Sequence, residues 1–259
     1  MKIWVYTLTY NEAHFVKNFL RAYKDAEKII VYDNMSTDNT VALLKEDPRV
    51  EVRINDSNGK IRDDIYLEIK NNCWKEARGL ADWTIIVDFD EIFTRAFWPD
   101  KFNLDLSNLG PFSGNVDIIK PFGYMIYSTD MLMGEDYNPL YQAEPLKGIY
   151  DANSEKLCCF RPDRIAEINY TPGCHGADPV GINGNSPLIH HYPEFKLIHF
   201  KYINIKTYFD RLMQYSARMS AYNLANGYGI HYTWSFNDHM EIYLKGLRDS
   251  KPLFEIQKP

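Results

Sequence analysis

Asp88 and Asp90 stand one residue apart at the end of the apolar run Trp83-Thr84-Ile85-Ile86-Val87. Alternate side chains of a strand leave the same face, so the two carboxylates can converge on one cation. Two hard carboxylates with room for further oxygen ligands suit Mg²⁺ or Mn²⁺ better than zinc. The plain alternative is an acidic surface turn, because Asp is common at strand ends. Two further polar strand ends weigh against it. One is Thr7-Leu8-Thr9-Tyr10-Asn11-Glu12, and the other runs from Tyr32-Asp33-Asn34 through Ser36-Thr37-Asp38-Asn39-Thr40.

The elements that position these residues alternate in kind. Short β-rich runs at 2–8, 28–32, 50–54 and 83–87 are separated by amphipathic stretches at 13–23, 38–45 and 62–79. That is the rhythm of a parallel sheet covered by helices, in which ligands sit outside the carboxyl ends of the strands. Ile65, Ile69, Cys73 and Ala77 follow i+4 steps and predict one apolar stripe on a single helix. After Glu91 the rhythm gives way to a Pro-, Gly- and aromatic-rich middle over residues 93–193, with a strand expected in 116–122. A last strand at 196–202 precedes a helix expected over 205–225, with Ile205, Tyr208, Phe209, Leu212, Tyr215, Met219 and Tyr222 near helical spacing.

Composition bounds the partners. The 259 residues are 45% apolar and 25% charged, an ordinary globular balance. Aromatics reach 15%, with 19 Tyr against 5 Trp, which suits stacking on bases or sugar rings as well as core packing. A formal net charge of -6 argues against a nucleic-acid partner. No stretch approaches the roughly 18 apolar residues of a transmembrane segment, and the N-terminal apolar run is too short for a signal peptide, so a cytoplasmic protein is expected. Cys73, Cys158, Cys159 and Cys174 lack zinc-site spacing and read as reduced thiols.

Three motifs at consecutive strand ends resemble the large family-two group of GT-A glycosyltransferases: Thr9-Tyr10-Asn11-Glu12, Asp33-Asn34-x-Ser36-Thr37-Asp38-Asn39-Thr40, and Asp82-Trp83-x-x-x-Val87-Asp88-x-Asp90-Glu91. The resemblance covers about the first hundred residues. It implies an α/β fold of GT-A type, Rossmann-like, with a mostly parallel sheet flanked by helices and an elaborated C-terminal acceptor region. Residues 1–95 would bind a nucleoside diphosphate sugar, and 96–259 would form the acceptor and C-terminal part of the same domain. The resemblance further implies that Asp88 lies near the ribose and metal-bound water and that Asp90 ligates Mn²⁺ or Mg²⁺. His199, in a segment resembling the late strand that supplies a further metal ligand, is expected to join Asp88 and Asp90; His190 and His191 compete for that place. Tyr10 would stack on a base and Asp33 would accept the imide N–H of uracil, with Thr9 and Asn11 beside them. Asn11 and Asp33 also read as turn-formers, with Ser36 or Thr37 capping the next helix.

Arg62 and Lys70 are candidates to neutralise a diphosphate, although Lys70 also reads as a solvated surface residue. An inverting transfer needs a base for the acceptor hydroxyl of a glycan or other substrate. Asp178 and His175, in the loop Gly173-Cys174-His175-Gly176-Ala177-Asp178, are the candidates, against a plain turn. The Glu-Asp acceptor motif of many family members has no clear counterpart. Surface polysaccharide synthesis is the expected setting. The alternatives are a sugar-phosphate nucleotidylyltransferase, whose Gly-rich stretch after the first strand is missing here, and a non-catalytic carbohydrate-binding relative.

Overall fold

The computed structural model describes residues 1–55, 57–95, 115–129 and 146–253. Residues 96–114 and 130–145 of the Pro- and aromatic-rich middle lie outside the described residues. In chain order the strands are β1 (Ile3–Thr9), β2 (Lys28–Asp33), β3 (Val50–Ile54), β4 (Trp83–Asp88), β5 (Glu91–Thr94), β6 (Ile118–Ile119), β7 (Phe122–Tyr127), β8 (Lys147–Tyr150), β9 (Cys159–Phe160), β10 (Ile165–Glu167), β11 (Val180–Gly181), β12 (Ile189–His190), β13 (Lys196–Tyr202) and β14 (Lys251–Pro252). The helices are α1 (Val16–Ala22), α2 (Thr40–Leu44), α3 (Asp63–Asn72), α4 (Ile205–Arg218), α5 (Ala221–Ala225) and α6 (Phe236–Asp249).

Seven strands form the first sheet in the order β12-β6-β9-β4-β1-β2-β3. The β-α-β rhythm makes β3, β2, β1 and β4 parallel, and β9 alone runs antiparallel to its neighbours β4 and β6. This is the α/β, largely parallel and helix-flanked architecture expected from the sequence. The central strand β4 buries all of its first five residues, which explains why it carries no polar alternation before Asp88. A second sheet, β14-β8-β7-β13-β5, begins where β4 ends. β5 pairs antiparallel with β13, matching Glu91 to His199, so the chain's late strand lies against the end of β4. Tyr23 fixes that junction from within: its buried hydroxyl donates to Glu91 O at 3.0 Å and accepts from Phe93 N at 2.8 Å.

Three boundaries differ from expectation. The helix expected over 62–79 stops at Asn72 and continues as a 3-10 turn, Cys73–Ala77. Ile65 and Ile69 are half-buried, Cys73 and Ala77 are buried, and Lys70 is the one fully buried residue of α3 itself. The helix expected over 205–225 breaks after Arg218, where Met219 turns extended and Ser220 caps α5 by accepting from Asn223 N. The strand expected in 116–122 splits at Pro121, which has no N–H for a ladder; β6 joins the first sheet and β7 the second. All four cysteines are free and buried. Among the described residues no helix is long and apolar enough to cross a membrane.

Gly123 in β7 permits a close approach that the site depends on. A Cβ there would lie 2.3 Å from Asp151 O and 2.6 Å from the Ser154 carbonyl carbon, while Gly123 O accepts from Asp151 N at 2.9 Å. Gly123→Ala is therefore expected to cost about 1–3 kcal/mol in urea denaturation through overpacking. Unchanged stability would mean that the segment after β8 is not held against β7.

Candidate active site

The loops after β1 and β2 are stitched together by side chains. Asn11 adopts φ +52°, and its carboxamide oxygen accepts from Thr37 N at 2.7 Å and Asp38 N at 3.3 Å. In return Asn11 N donates to Ser36 Oγ at 2.9 Å and Glu12 N to Thr40 Oγ1 at 2.8 Å. The helix-cap role read for Ser36 or Thr37 is thus replaced: Asn39 is the N-cap of α2 and makes no side-chain cap bond. These hydrogen bonds hold the loop that carries Tyr10 and Glu12 into a cavity of about 330 Å³ at the carboxyl ends of β1 and β4; Asn11 and Asp33 do not line it, whereas residues of β13, α4 and the loops around 151–156, 173–175 and 229–232 do.

Buried charge forms the floor. The expectation that Asp88 and Asp90 share one strand face does not hold, because β4 ends at Asp88 and Phe89-Asp90 turns into β5, where strand alternation no longer applies. Asp88 instead accepts from Lys70 Nζ at 2.6 Å and from Lys156 Nζ at 2.7 Å, one lysine on each oxygen. Burial works against its ionisation, yet the two ammonium groups hold its carboxyl well below the usual carboxylate range. Lys156 also lies 2.6 Å from Glu91, whose other oxygen accepts from Asp88 N at 3.0 Å.

Asp90 belongs to a second cluster. Its Oδ2 is 3.1 Å from His199 Nε2 and 2.8 Å from Arg211 Nη1, and Arg211 Nη2 is 3.1 Å from Glu12 Oε1. Burial opposes the Asp90 charge, but Arg211 and His199 lower its pKa well below the ordinary range. Glu12 has a weaker share of Arg211, and burial pushes its carboxyl up to about 7. On the far side of the imidazole, Glu91 Oε1 lies 3.7 Å from His199 Nδ1.

The remaining expected residues divide. Thr9 and Tyr10 line the cavity, and the Arg218 guanidinium lies over the Tyr10 ring at 3.3 Å. Asp33 is buried; one oxygen accepts from Ser36 N at 3.0 Å, and Oδ1 has no partner among the described residues. His175 lines the cavity. Its Nδ1 is 2.7 Å from Asn153 O. A carbonyl can only accept, so Nδ1 is the donor in this contact and Nε2 is the ring nitrogen left to face other partners. Asp178 is exposed and outside the cavity, its backbone oxygen held by Asn169. Arg62 is likewise not brought in: Asp64, two residues away, takes its guanidinium at 2.8 and 2.5 Å. Lys70, read as a solvated position, is instead buried against Asp88. His190 and His191 do not line the cavity; His191 Nε2 lies 3.4 Å from Glu155.

Sequence reasoning missed Glu12, Lys156, Lys201, Arg211 and Arg218, all of which line the cavity. Arg211 and Arg218 stand seven residues apart on one face of α4 with Tyr215 between them, two cations passed over for the apolar stripe. Lys201 is two residues past His199 in β13 and shares its face. Lys156 sits in irregular chain, and no spacing signals it.

A glycosyl transferase family 2 model matches residues 4–102, the segment that contains all three strand ends. These residues form a glycosyl transferase family 2 domain. Glucosyl-3-phosphoglycerate synthase from Mycobacterium tuberculosis, in a crystal structure with Mn²⁺, uridine diphosphate and phosphoglyceric acid, is 17% identical with a TM-score of 0.31, over 47% of this chain and 43% of that one. Mannosyl-3-phosphoglycerate synthase from Rubrobacter xylanophilus is 14% identical with a TM-score of 0.36, over 63% of this chain and 54% of that one. The chain thus spans about half the length of each synthase or less. No curated protein matches it.

Among the residues of the family 2 domain, Glu91 is fully buried and relies on Lys156, itself only 4% exposed at the side chain. Lys156→Met should cost about 3–5 kcal/mol, because it leaves a buried carboxylate uncompensated. Adding Glu91→Gln should recover more than half of that loss in chemical denaturation. If the double variant is no more stable than the single one, the pair is not what the floor rests on.

Proposed function

We propose that the chain transfers a sugar from a nucleoside diphosphate sugar, with uridine as the nucleoside, to an acceptor hydroxyl, with inversion and with the help of Mn²⁺ or Mg²⁺. The observation that carries the reading is the approach of Asp90 and His199 to 3.1 Å across 109 residues of sequence, at the floor of the cavity on the strand ends of a family 2 domain.

The donor atoms suit such a cation. A carboxylate oxygen and an imidazole nitrogen 3.1 Å apart would be near enough to hold one such cation between them. Glu91 beside His199 Nδ1 supplies the acceptor that favours presenting Nε2 to a cation. Among the described residues no group of three or more His, Cys, Asp or Glu is gathered for a metal, so Asp90 and His199 would hold it as a pair and leave other positions to phosphate oxygens and water. Bound there, the cation supplies Lewis-acid stabilisation of the charge that develops on the leaving diphosphate. Asp88 is outside this ligand pair, with both oxygens on lysines, and serves to hold Lys70 and Lys156 at the diphosphate side of the cavity. Arg211, now on Asp90, is a further counter-charge for the same purpose.

On the nucleoside side, the imide N–H of uracil would go to Asp33 Oδ1, a buried atom with no partner among the described residues that the base would have to reach, since Asp33 does not line the cavity. The base would stack on Tyr10 at the face not covered by Arg218, or would displace that guanidinium. On the acceptor side, His175 Nε2 receives the proton as the acceptor hydroxyl attacks the anomeric carbon and the bond to the diphosphate breaks. A single displacement of this kind inverts the anomeric centre. Residues 1–95 then supply the donor half, and 96–259 the acceptor half together with His199. A glycan is the acceptor class we favour.

The test is release of nucleoside diphosphate from a panel of uridine diphosphate sugars with Mn²⁺. The wild-type protein should turn over at least one donor, and Asp90→Ala and His199→Ala should each lower the rate by about 100-fold or more while keeping the native circular-dichroism spectrum. Folded Asp90→Ala protein with near wild-type turnover would overturn the reading.

A further inference from the structure

Two arginines on one face of α4 line the cavity, and they differ in what holds them. Arg211 bridges Asp90 and Glu12. Arg218, seven residues later, has no carboxylate within ion-pair distance among the described residues, although only 7% of it is exposed. Its Nε donates to Gly59 O at 2.7 Å, and its guanidinium lies over the Tyr10 ring at 3.3 Å. Its Nη2 is buried and makes no hydrogen bond among the described residues. The carbonyl and the ring face offset part of the cost of burying this charge. The spare donor is left for a partner that the chain does not supply.

Direct contacts place Arg218 along the sheet. The end of α4 meets the chain that follows β3: Ile61 N donates to Arg218 O at 2.9 Å, and Ile61 bridges to Met219. That turn is tied to the end of β2, where Asn34 Nδ2 donates to Lys60 O at 2.9 Å and Asn34 Oδ1 accepts from Ser57 Oγ at 2.6 Å. Tyr10 follows β1. In the strand order β4-β1-β2-β3, Arg218 is thus fixed between the ends of β1 and β3, while Asp90, His199 and Arg211 meet beyond the end of β4. Seven helical residues separate the two arginines, about 10 Å along α4. A nucleotide can span that stretch, with its diphosphate toward Arg211 and its base toward Arg218.

We infer that Arg218 is a specificity-determining residue for the donor's nucleoside: the base packs against the Tyr10–Arg218 pair, and the spare guanidinium N–H donates to an oxygen of that nucleoside. The inference rests on the proposed transferase reading and deepens it, because a residue from the C-terminal part then completes the donor site begun by residues 1–95. A phosphate oxygen of the same nucleotide offers the guanidinium similar chemistry, and the experiment separates the two.

Uridine diphosphate and pyrophosphate, both with Mg²⁺, serve as probes and are titrated calorimetrically into wild-type, Arg218→Lys and Arg218→Met proteins. Lysine keeps the charge and a donor for Gly59 O but loses the planar stack and the second nitrogen. The expected result is a loss of uridine diphosphate affinity of at least tenfold in both variants, with pyrophosphate affinity within threefold of wild type. Arg218→Lys should also keep the wild-type urea midpoint, so its loss of binding is not a loss of fold; should Arg218→Met fail to fold, the lysine variant decides. Uridine diphosphate affinity in Arg218→Lys that falls by less than tenfold overturns the inference and leaves Arg218 as a clamp on the Gly59 turn. Pyrophosphate weakened as much as uridine diphosphate overturns it too, and assigns Arg218 to the phosphates. In both cases the wild type still binds the nucleotide and the transferase reading stands. If the wild type does not bind uridine diphosphate, that reading fails and the inference falls with it.

Discussion

Three acidic residues, Asp88, Asp90 and Glu91, come together where β4 turns into β5, and Asp90 and Glu91 are too enclosed to keep their charges without cations from the chain itself. Glu91 is fully buried and the Asp90 side chain is 7% exposed. An isolated carboxylate in such a place would take up a proton rather than stay charged. The answer is distributed over the whole molecule: Lys70 from α3, Lys156 from the loop before β9, His199 from β13 and Arg211 from α4. Each pair spans a different stretch of chain, so the acidic corner ties the parallel sheet to the second sheet and the C-terminal helices.

The same network prepares a place for charge to be exchanged. Asp88, Asp90 and Glu91 are each paired with at least one basic group, and the cations line a cavity large enough for a small ligand. An incoming anion can take over those cations without opening new buried surface, because the basic groups are already desolvated and held in place. Electrostatic preorganisation of this sort is the largest single contribution available to a reaction in which charge builds on a leaving group. The second sheet adds what the parallel half lacks: β13 brings His199 and Lys201 to one face, and Gly123 in β7 lets the chain carrying Ser154 and Lys156 pass close by.

Much of the parallel half was legible from residue types. Apolar runs marked β1, β2 and β4, because burial on both faces of a parallel sheet leaves a continuous hydrophobic signature, and the alternating, partly buried Val50–Ile54 at the sheet edge also matches its strand to the residue. The polar strand ends were equally visible, as was β13. What the sequence hid were features set by tertiary contact. Asp88 and Asp90 look equivalent in the motif, yet the turn at Phe89-Asp90 sends them to different partners. Arg62 and Lys70 look alike as candidates to meet a diphosphate, with Lys70 the one that also reads as solvated; α3 turns Lys70 inward, while Asp64 captures Arg62 outside. His175 and Asp178 share one loop, but the hydrogen bond to Asn153 and the left-handed Gly173 bring only His175 to the cavity. Lys156 had no periodic context at all.

The account stands on Asp90 and His199 acting together on one cation while Asp88 remains with its lysines. Anomalous diffraction from crystals soaked with Mn²⁺ and uridine diphosphate tests this directly. A peak within bonding distance of both Asp90 and His199, with the Lys70 and Lys156 contacts to Asp88 intact, is the predicted result. A peak bonded to Asp88 with its lysines displaced, or no manganese between Asp90 and His199 while the nucleotide is bound, would contradict it.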